Sequence, residues 1–575
     1  MSVRAASLLV VFILAKLAML AGHHVQFSWW SPFAYFWQDA AVMLIFAAIE
    51  LCLGSRSLIA WALYTCLALY AAINIPVTRA MGTPLTWPMW RAAGGTLADS
   101  MWHYVTWLNI LLCASVLSAA LVAPCILGRI SLRPLIAALL ILVLLGPAAV
   151  SRVDTLGLER NAWTALVLSA LPHVPTRASA ADRRTPTFDH TRDDGLAFRR
   201  GAAAGRNIVL VSLESTAAQY LGVYGARPDV MPNLSRLSRS AIVFENAYAV
   251  YPESIRGLFS ILCSAYPAFD SAPEMYAHAP CQSVAEVLSG SGYRTALFHS
   301  GRFMYLGMEE VIRNRGFQTL ADAGDIGGRH NSSFGVDEPS TVARILSWID
   351  ALPPRTRFFV TYLPIAGHHP YDTPEPGPFP EHDEFGLYRN ALHYGDASLG
   401  TLIRGLEARG LDRNTLWIIL GDHGEAFGQH DGNFGHTFYL YEENVHVPFL
   451  IAAPGLIPQP VRSSKIVSLV DTAPTILELA GLSAPQGYQG RSMLDGTPRM
   501  ALFFADYSLA MLGLRDGPRK FIYELDSGRS KLFDLAHDPA EKIDLVLQYG
   551  EQAHRYAQDL RSWSAAQKHL LRAAR

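Results

Sequence analysis

Five apolar stretches crowd the first 153 residues of this 575-residue chain, at about 5–22, 33–54, 57–77, 104–125 and 134–152. A helix needs about 20 largely apolar residues to cross the hydrocarbon core of a bilayer. One such stretch at an N-terminus also fits a cleavable signal peptide, but five do not. Residues 1–153 are therefore expected to form a polytopic membrane anchor. They hold eight Lys and Arg and three acids, whereas residues 154–575 hold 39 basic and 46 acidic side chains. With 51% hydrophobic residues the chain is too apolar for disorder, and a net charge of −2 offers no basic field for nucleic acid.

Orientation follows from Lys and Arg in the short loops. Arg4, Arg56, Arg129 and Arg133 fall on one side, and Arg79, Arg91 and Arg152 on the other. This places the N-terminus in the cytoplasm and, after an odd number of spans, the C-terminal part outside it. The loop 78–103 carries Trp87, Trp90 and Trp102, suited to lying on headgroups or to forming a lipid entrance. Lys16, inside the first span, is expected to snorkel to the outer interface.

Residues 154–206 lack a long apolar period, and the polar, breaker-rich run 175–186 reads as linker. Beyond it, short apolar runs at 207–213, 241–248, 293–299, 357–363, 415–420 and 447–452 alternate with helical patterns at 254–264, 283–291, 340–351, 388–409 and 472–481. Such alternation predicts an α/β core over 207–510 with a mainly parallel sheet. A hairpin around Asp526-Ser-Gly-Arg529 and a helix over about 540–572 are expected to make a small C-terminal subdomain, 511–575. Cys263 and Cys281 are the only cysteines beyond residue 153. An oxidising compartment favours their pairing, with two unpaired buried thiols as the alternative.

Sites in α/β sheets gather at the carboxyl ends of strands. Glu214 ends the first apolar run, and Gly421-Asp422-His423-Gly424-Glu425 follows the run 415–420. Ser254 opens an apolar helical pattern, at an N-cap position beside the positive helix end. His368 and His369 follow the run 357–363, and His436 lies further on. Taken singly, Ser254 reads as a helix cap and the His pair as structural. Together they fit one chemistry. Glu214, Ser254, Asp422 and His423 would hold a divalent ion that activates the serine hydroxyl, and His368 and His436 would bind the oxygens of a phosphorus or sulfur centre.

At these residues the chain resembles the sulfatase/alkaline phosphatase superfamily, above all its membrane-anchored branch of lipoteichoic acid synthases, phosphoglycerol transferases and phosphoethanolamine transferases. Leu213-Glu214-Ser-Thr216, Met231-Pro-Asn-Leu with Phe244-Glu-Asn-Ala-Tyr248, Asp422-His423-Gly-Glu425 and His368-His-Pro-Tyr371 resemble the family's motifs. Ser254 stands 12 residues before Tyr266-Pro267, a spacing similar to that of the synthases' nucleophilic Thr. Val470–Leu477, Leu532–Leu535 and Asp538-Pro539 resemble later signatures. The core Ser254-Ile-Arg256 lacks the proline of formylglycine sulfatases, so conversion of Ser254 to formylglycine is not expected.

The resemblance implies a transferase of a bacterial-type cytoplasmic membrane with its catalytic domain exported. A phospholipid would donate its phosphoglycerol or phosphoethanolamine headgroup to Ser254. An extracytoplasmic glycan, lipid or glycerol-type acceptor would then receive it. The alternative is a tethered hydrolase, either phosphodiesterase or sulfatase. One essential ion is expected, Mn or Zn, with Mg or Ca as further options, because a single carboxylate stands at the first metal motif.

Overall fold

The computed structural model describes all residues except 1, 24, 26, 55–56, 94–104, 128–131, 174–185, 192, 331–333 and 573–575. Helices Val3–Leu20, Ser31–Leu53, Leu58–Met81 and Trp107–Ile126 are long and apolar enough to cross a membrane. The fifth stretch forms the helix Leu132–Val150, of which 135–150 falls in a shorter apolar class. All five expected stretches are therefore helical, four of them meeting the full length for a span among the described residues. In the loop 78–103, Trp87–Ala93 is helical with Trp87 and Trp90 partly exposed, and Trp102 lies outside the described residues.

Lys16 does not snorkel to water. It is buried, and its Nζ donates to the carbonyl oxygens of Leu158, Glu159 and Arg160 at 3.0, 3.2 and 2.8 Å, with Asp39 Oδ2 at 3.4 Å. A lysine in a span satisfies its charge wherever acceptors are nearest, and here a turn of the chain comes down to meet it. The start of the expected linker is accordingly packed, with Leu158, Arg160 and Asn161 buried and a helix at Ala162–Ser169. Most of the breaker run 175–186 lies outside the described residues.

The α/β core is built on strands β1 (Asn207–Leu213), β2 (Ala241–Tyr248), β3 (Arg294–His299), β4 (Thr319–Ala321), β5 (Phe358–Leu363), β6 (Thr415–Gly421), β7 (Ala426–Phe427), β8 (Phe434–Gly435), β9 (His446–Ala452) and β10 (Val461–Ser468). Eight of them form one sheet in the order β10-β2-β9-β6-β1-β5-β3-β4, while β7 and β8 pair separately. The sheet is parallel except for β9, which runs antiparallel to β2 and β6. Every residue of β1 is buried, because helices cover both faces. Ile208 and Leu210 point to a cluster with helices Ser254–Cys263 and Thr472–Leu479; Val209 and Val211 point to one with Glu338–Asp350 and Glu384–Ala408.

The six strand candidates coincide with observed strands to within a residue at each end. β10 escaped the pattern because Val-Arg-Ser-Ser-Lys-Ile-Val-Ser is half polar, as suits a sheet edge. The C-terminal region is a four-stranded antiparallel meander of β11 (Ala501–Ala505), β12 (Met511–Asp516), β13 (Arg519–Glu524) and β14 (Ser530–Asp534). It therefore begins before the boundary expected at 511, and the expected hairpin forms only its last two strands. The final helix starts at Gly550, not near 540. Upstream of it, the carboxylates of Asp538 and Asp544 bind the backbone N–H groups of Ile543 and of Leu532 and Val546, holding a turn instead of a helix. Cys263 and Cys281 are bridged, with Cα atoms 5.5 Å apart. The chain-entropy cost of the open 18-residue loop makes the bridge worth about 3 kcal/mol.

Candidate active site

Strand register assembles the site. β1 lies between β5 and β6, and Leu213 pairs with Gly421. The next residues, Glu214 and Asp422, therefore emerge side by side from adjacent carboxyl ends. Ser215 turns the chain with φ +51°, a left-handed conformation that costs a non-glycine residue energy. Its N–H donates to Asp422 Oδ1 at 3.1 Å and its hydroxyl to Glu214 Oε1 at 3.0 Å. The third strand end brings His368 in through a loop whose Gly367 lies against β1. A Cβ there would sit 2.2 Å from the Glu214 carbonyl oxygen, so only glycine allows the approach.

Ser254 is the first residue of its helix, not the N-cap. Glu253 is the cap, and its carboxylate accepts from the N–H groups of Ile255 and Arg256 at 2.8 and 3.4 Å. The serine hydroxyl is thereby left free for other partners. It donates to Glu214 Oε2 at 2.8 Å and lies 3.2 Å from His423 Nε2. His423 Nδ1 lies 2.9 Å from the Gly424 carbonyl oxygen, which can only accept. That nitrogen carries the proton, and Nε2 is turned toward Ser254 and Glu214.

His436 arrives on the small β7–β8 ribbon. Ala426 pairs with Gly435, which puts Glu425 across from His436, with His436 Nδ1 2.7 Å from Glu425 Oε2. Tyr371 donates its hydroxyl to Glu425 Oε1 at 2.9 Å. The His436 ring stands 4.3 Å from that of His423 and 5.9 Å from that of His368, centroid to centroid. All six residues singled out in the sequence thus converge. Glu425 and His299 were not singled out, although both were accessible: Glu425 belongs to the same short motif as Asp422, and His299 ends β3, a strand of the same sheet. Glu214 and His368 act electrostatically on His299, whose ionisation burial pushes down.

The charges ask for a cation. Burial raises the Asp422 carboxyl, and the neighbouring Glu214 raises it further. Burial works the same way on Glu214, but the hydrogen bond to His423 and the charges of His423, His368 and His436 outweigh it and hold that carboxyl well below its ordinary range. Burial opposes charge on His423, yet Asp422 and Glu214 carry it up to about 10. Two buried carboxyls thus draw a proton onto the imidazole that faces them. A divalent ion would supply that positive charge instead. The ligand atoms of Glu214, Asp422 and His423 lie within 4.8 Å of one another, and a mixed oxygen and nitrogen donor set suits Zn²⁺ or Mn²⁺. His423, Glu425 and His436 form a second such group beside it.

Residues 206–482 match the sulfatase family. Arylsulfatase K is similar: the Bos taurus protein is 32% identical over 29% of this chain and 34% of its own length, and the Canis lupus familiaris protein 25% identical over 63% and 84%. The lipoteichoic acid synthase-like protein YvgJ of Bacillus subtilis (strain 168) is 23% identical over 54% of this chain, which spans only about half, 52%, of that relative. Among solved structures, a protein in the alkaline phosphatase superfamily from Vibrio parahaemolyticus shares the fold, with a TM-score of 0.53 over 71% of this chain and 94% of that one at 19% identity. Apolar helices lead into a sheet of this topology with these motifs at its strand ends: residues 206–482 are a domain of the sulfatase/alkaline phosphatase superfamily, and the chain resembles lipoteichoic acid synthase.

Proposed function

We propose that this chain is a membrane-anchored, metal-dependent transferase that moves a phosphoglycerol or phosphoethanolamine headgroup from a phospholipid to an extracytoplasmic acceptor. The observation that carries the reading is Ser254. Its hydroxyl is released from capping, held 2.8 Å from Glu214 and 3.2 Å from His423, and set at the positive end of a helix. The apolar helices and the lipoteichoic acid synthase-like relatives support a donor drawn from the bilayer. In this reading the N-terminus is cytoplasmic and the catalytic domain faces the exterior of a bacterial-type inner membrane.

Glu214, Ser254, Asp422 and His423 would hold the divalent ion. When bound, the ion supplies the charge that lowers the serine pKa and offsets the phosphate oxygens. The chain's own residues do the rest. Ser254 Oγ gives up its proton to water and bonds to phosphorus as the bond to the diacylglycerol oxygen breaks, and that oxygen takes a proton from His436 and leaves. In a second in-line displacement, an acceptor hydroxyl gives its proton to His436 and bonds to phosphorus, and the oxygen of Ser254 leaves and is reprotonated by water. Glu425 orients His436 through Nδ1, so that Nε2 can hold or pass a proton at the leaving oxygen. His368 Nδ1 is 2.6 Å from the His369 carbonyl oxygen, which leaves its Nε2 to meet the non-bridging phosphate oxygens.

A hydrolase, in which water is the second acceptor, is the other reading, favoured by the arylsulfatase K relatives. The test is mass spectrometry of the Ser254 peptide after the full-length protein meets phosphatidylglycerol or phosphatidylethanolamine. The transferase reading expects a phosphoglycerol or phosphoethanolamine adduct on Ser254 and an acceptor-linked product. Free headgroup alone points to hydrolysis, and turnover without modification of Ser254 would overturn both.

A further inference from the structure

Three consecutive residues after β11 join the nucleophile's helix to the membrane domain. The first, Asp506, is buried and faces the helix. Its Oδ1 accepts from the Tyr251 hydroxyl at 2.8 Å and pairs with Arg256 Nη1, and its Oδ2 accepts from the Asp270 N–H at 2.7 Å. Tyr251 stands three residues before Ser254 and Arg256 two after it, with the Arg256 guanidinium 4.5 Å over the Tyr251 ring. Asp506 thus clamps the chain on both sides of Ser254.

The next two residues face the other way. Thr86, in the loop that leaves the third apolar helix, donates its hydroxyl to the Tyr507 carbonyl at 2.7 Å. Arg160 donates to the Ser508 carbonyl at 2.9 Å and the Ser508 hydroxyl at 2.8 Å, and also reaches the Thr83 hydroxyl. The Ser508 hydroxyl in turn donates to Thr83 at 2.7 Å. Thr83, Thr86, Arg160 and Ser508 are all buried, and the carbonyl of Arg160 is one of the three that Lys16 holds from within the first helix. A continuous buried path runs from Lys16 through Arg160 and residues 506–508 to the segment bearing Ser254. Buried networks of this kind are rigid, because each broken link strands a desolvated polar group.

Resting on the reading of Ser254 as nucleophile, we infer that the membrane domain is part of the catalytic apparatus: Thr86 and Arg160 are positioning residues that set the aim of Ser254 through Asp506. The anchor then contributes to the chemistry of any substrate, including one that never enters the bilayer. A displacement of about 1 Å at a reacting atom costs up to about a hundredfold in rate.

The test uses the full-length, metal-loaded protein in nanodiscs and bis(4-nitrophenyl) phosphate as a soluble probe. Thr86→Val keeps the side-chain shape and removes the hydroxyl, and Thr86→Ser restores it. Thr86→Val combined with Arg160→Gln is expected to lower kcat about tenfold or more, with KM within about twofold and metal content unchanged. Thr86→Ser should return most of the rate. Added to Asp506→Asn, the same two changes should cost little more, because the path is already cut. A kcat at the wild-type level, or losses that multiply independently with Asp506→Asn, would overturn the inference. If Thr86→Val/Arg160→Gln misfolds, the single Thr86→Val and Thr86→Ser pair decides, with equal kcat counting against coupling. Failure of the reading of Ser254 as nucleophile is separately visible, since Ser254→Ala would then still turn over the probe.

Discussion

Replacing Ser254 by alanine and Glu253 by alanine should separate in turnover and not in stability, because neighbouring residues divide two jobs. Glu253 satisfies two backbone N–H groups at the helix start, whereas the Ser254 hydroxyl touches Glu214 and His423 and caps nothing. Ser254→Ala keeps the cap and places a better helix former at the first position, a gain of under about 0.7 kcal/mol. It loses one hydrogen bond to a carboxylate, about 1.5–3 kcal/mol, while Glu214 keeps its bond from Ser215. The net loss of stability is about 1–3 kcal/mol. Turnover should fall on the order of 10³-fold or more, as for other removed nucleophiles, equivalent to about 4 kcal/mol in the barrier. Ser254→Thr retains the hydroxyl and should retain substantial activity. Glu253→Ala should cost about 1 kcal/mol of stability and leave turnover within about tenfold. The assay pairs initial rates on a fluorescent-headgroup phospholipid in nanodiscs with melting temperature and metal content. A Ser254→Ala enzyme turning over within about tenfold of wild type would refute nucleophilic catalysis by Ser254, whatever its stability.

Three further outcomes are expected. Glu214→Ala, Asp422→Ala and His423→Ala should each abolish turnover and lower metal occupancy measured by elemental analysis, with the sheet core intact by circular dichroism; full activity at zero occupancy would exclude the metal role. Gly367→Ala forces a Cβ to 2.2 Å from the Glu214 carbonyl, so the His368 loop must shift. A stability loss of about 1–3 kcal/mol with weakened substrate turnover should follow, and an unchanged enzyme would show that the loop yields freely. His173 ties the segment after the membrane domain to Asp270, with the ring Nδ1 2.8 Å from Oδ1. Burial works against charge on His173, but the bond to Asp270 and the charges of Asp526, Asp270 and Asp506 raise its pKa. Burial likewise opposes the Asp270 charge, but His173 and Lys568 lower that pKa. The histidine's contribution is complete below its unfolded value, about 6.5, and fades as pH climbs through the raised folded value. The aspartate's contribution is present above about 3.9 and disappears in acid as pH falls through its lowered value. The difference in melting temperature between wild type and His173→Ala should therefore peak between about pH 4 and 6.5; a difference constant from about pH 4 to 9 would refute the tether.

Local signals carried much of this protein. Apolar runs too long for a globular core announced the membrane helices, and short β-branched runs alternating with amphipathic helical patterns announced the sheet. Periodicity reports burial, and burial is what these elements share. The strand-end rule found Glu214, Asp422, His423 and His368 without coordinates, because a parallel sheet exposes its carboxyl ends. Signals failed where the determining contact was distant in sequence. β10 is a strand because it pairs with β2, despite its polar composition, and the helix expected near 540 is displaced by carboxylates that bind backbone groups across a turn. Whether Ser254 caps or reacts was undecided by its own neighbourhood, since either role suits a serine at a helix start. Only the fold shows its hydroxyl meeting Glu214, 40 residues away, and His423, 169 away, the contacts on which the proposed nucleophilic role rests. The same holds for Lys16, whose acceptors lie 142 to 144 residues downstream, and for Asp506, whose link between the membrane helices and the Ser254 segment exists only in three dimensions. Propensity acts over a few residues, whereas the pairing of buried charges is settled by whichever partners the chain brings together when it closes.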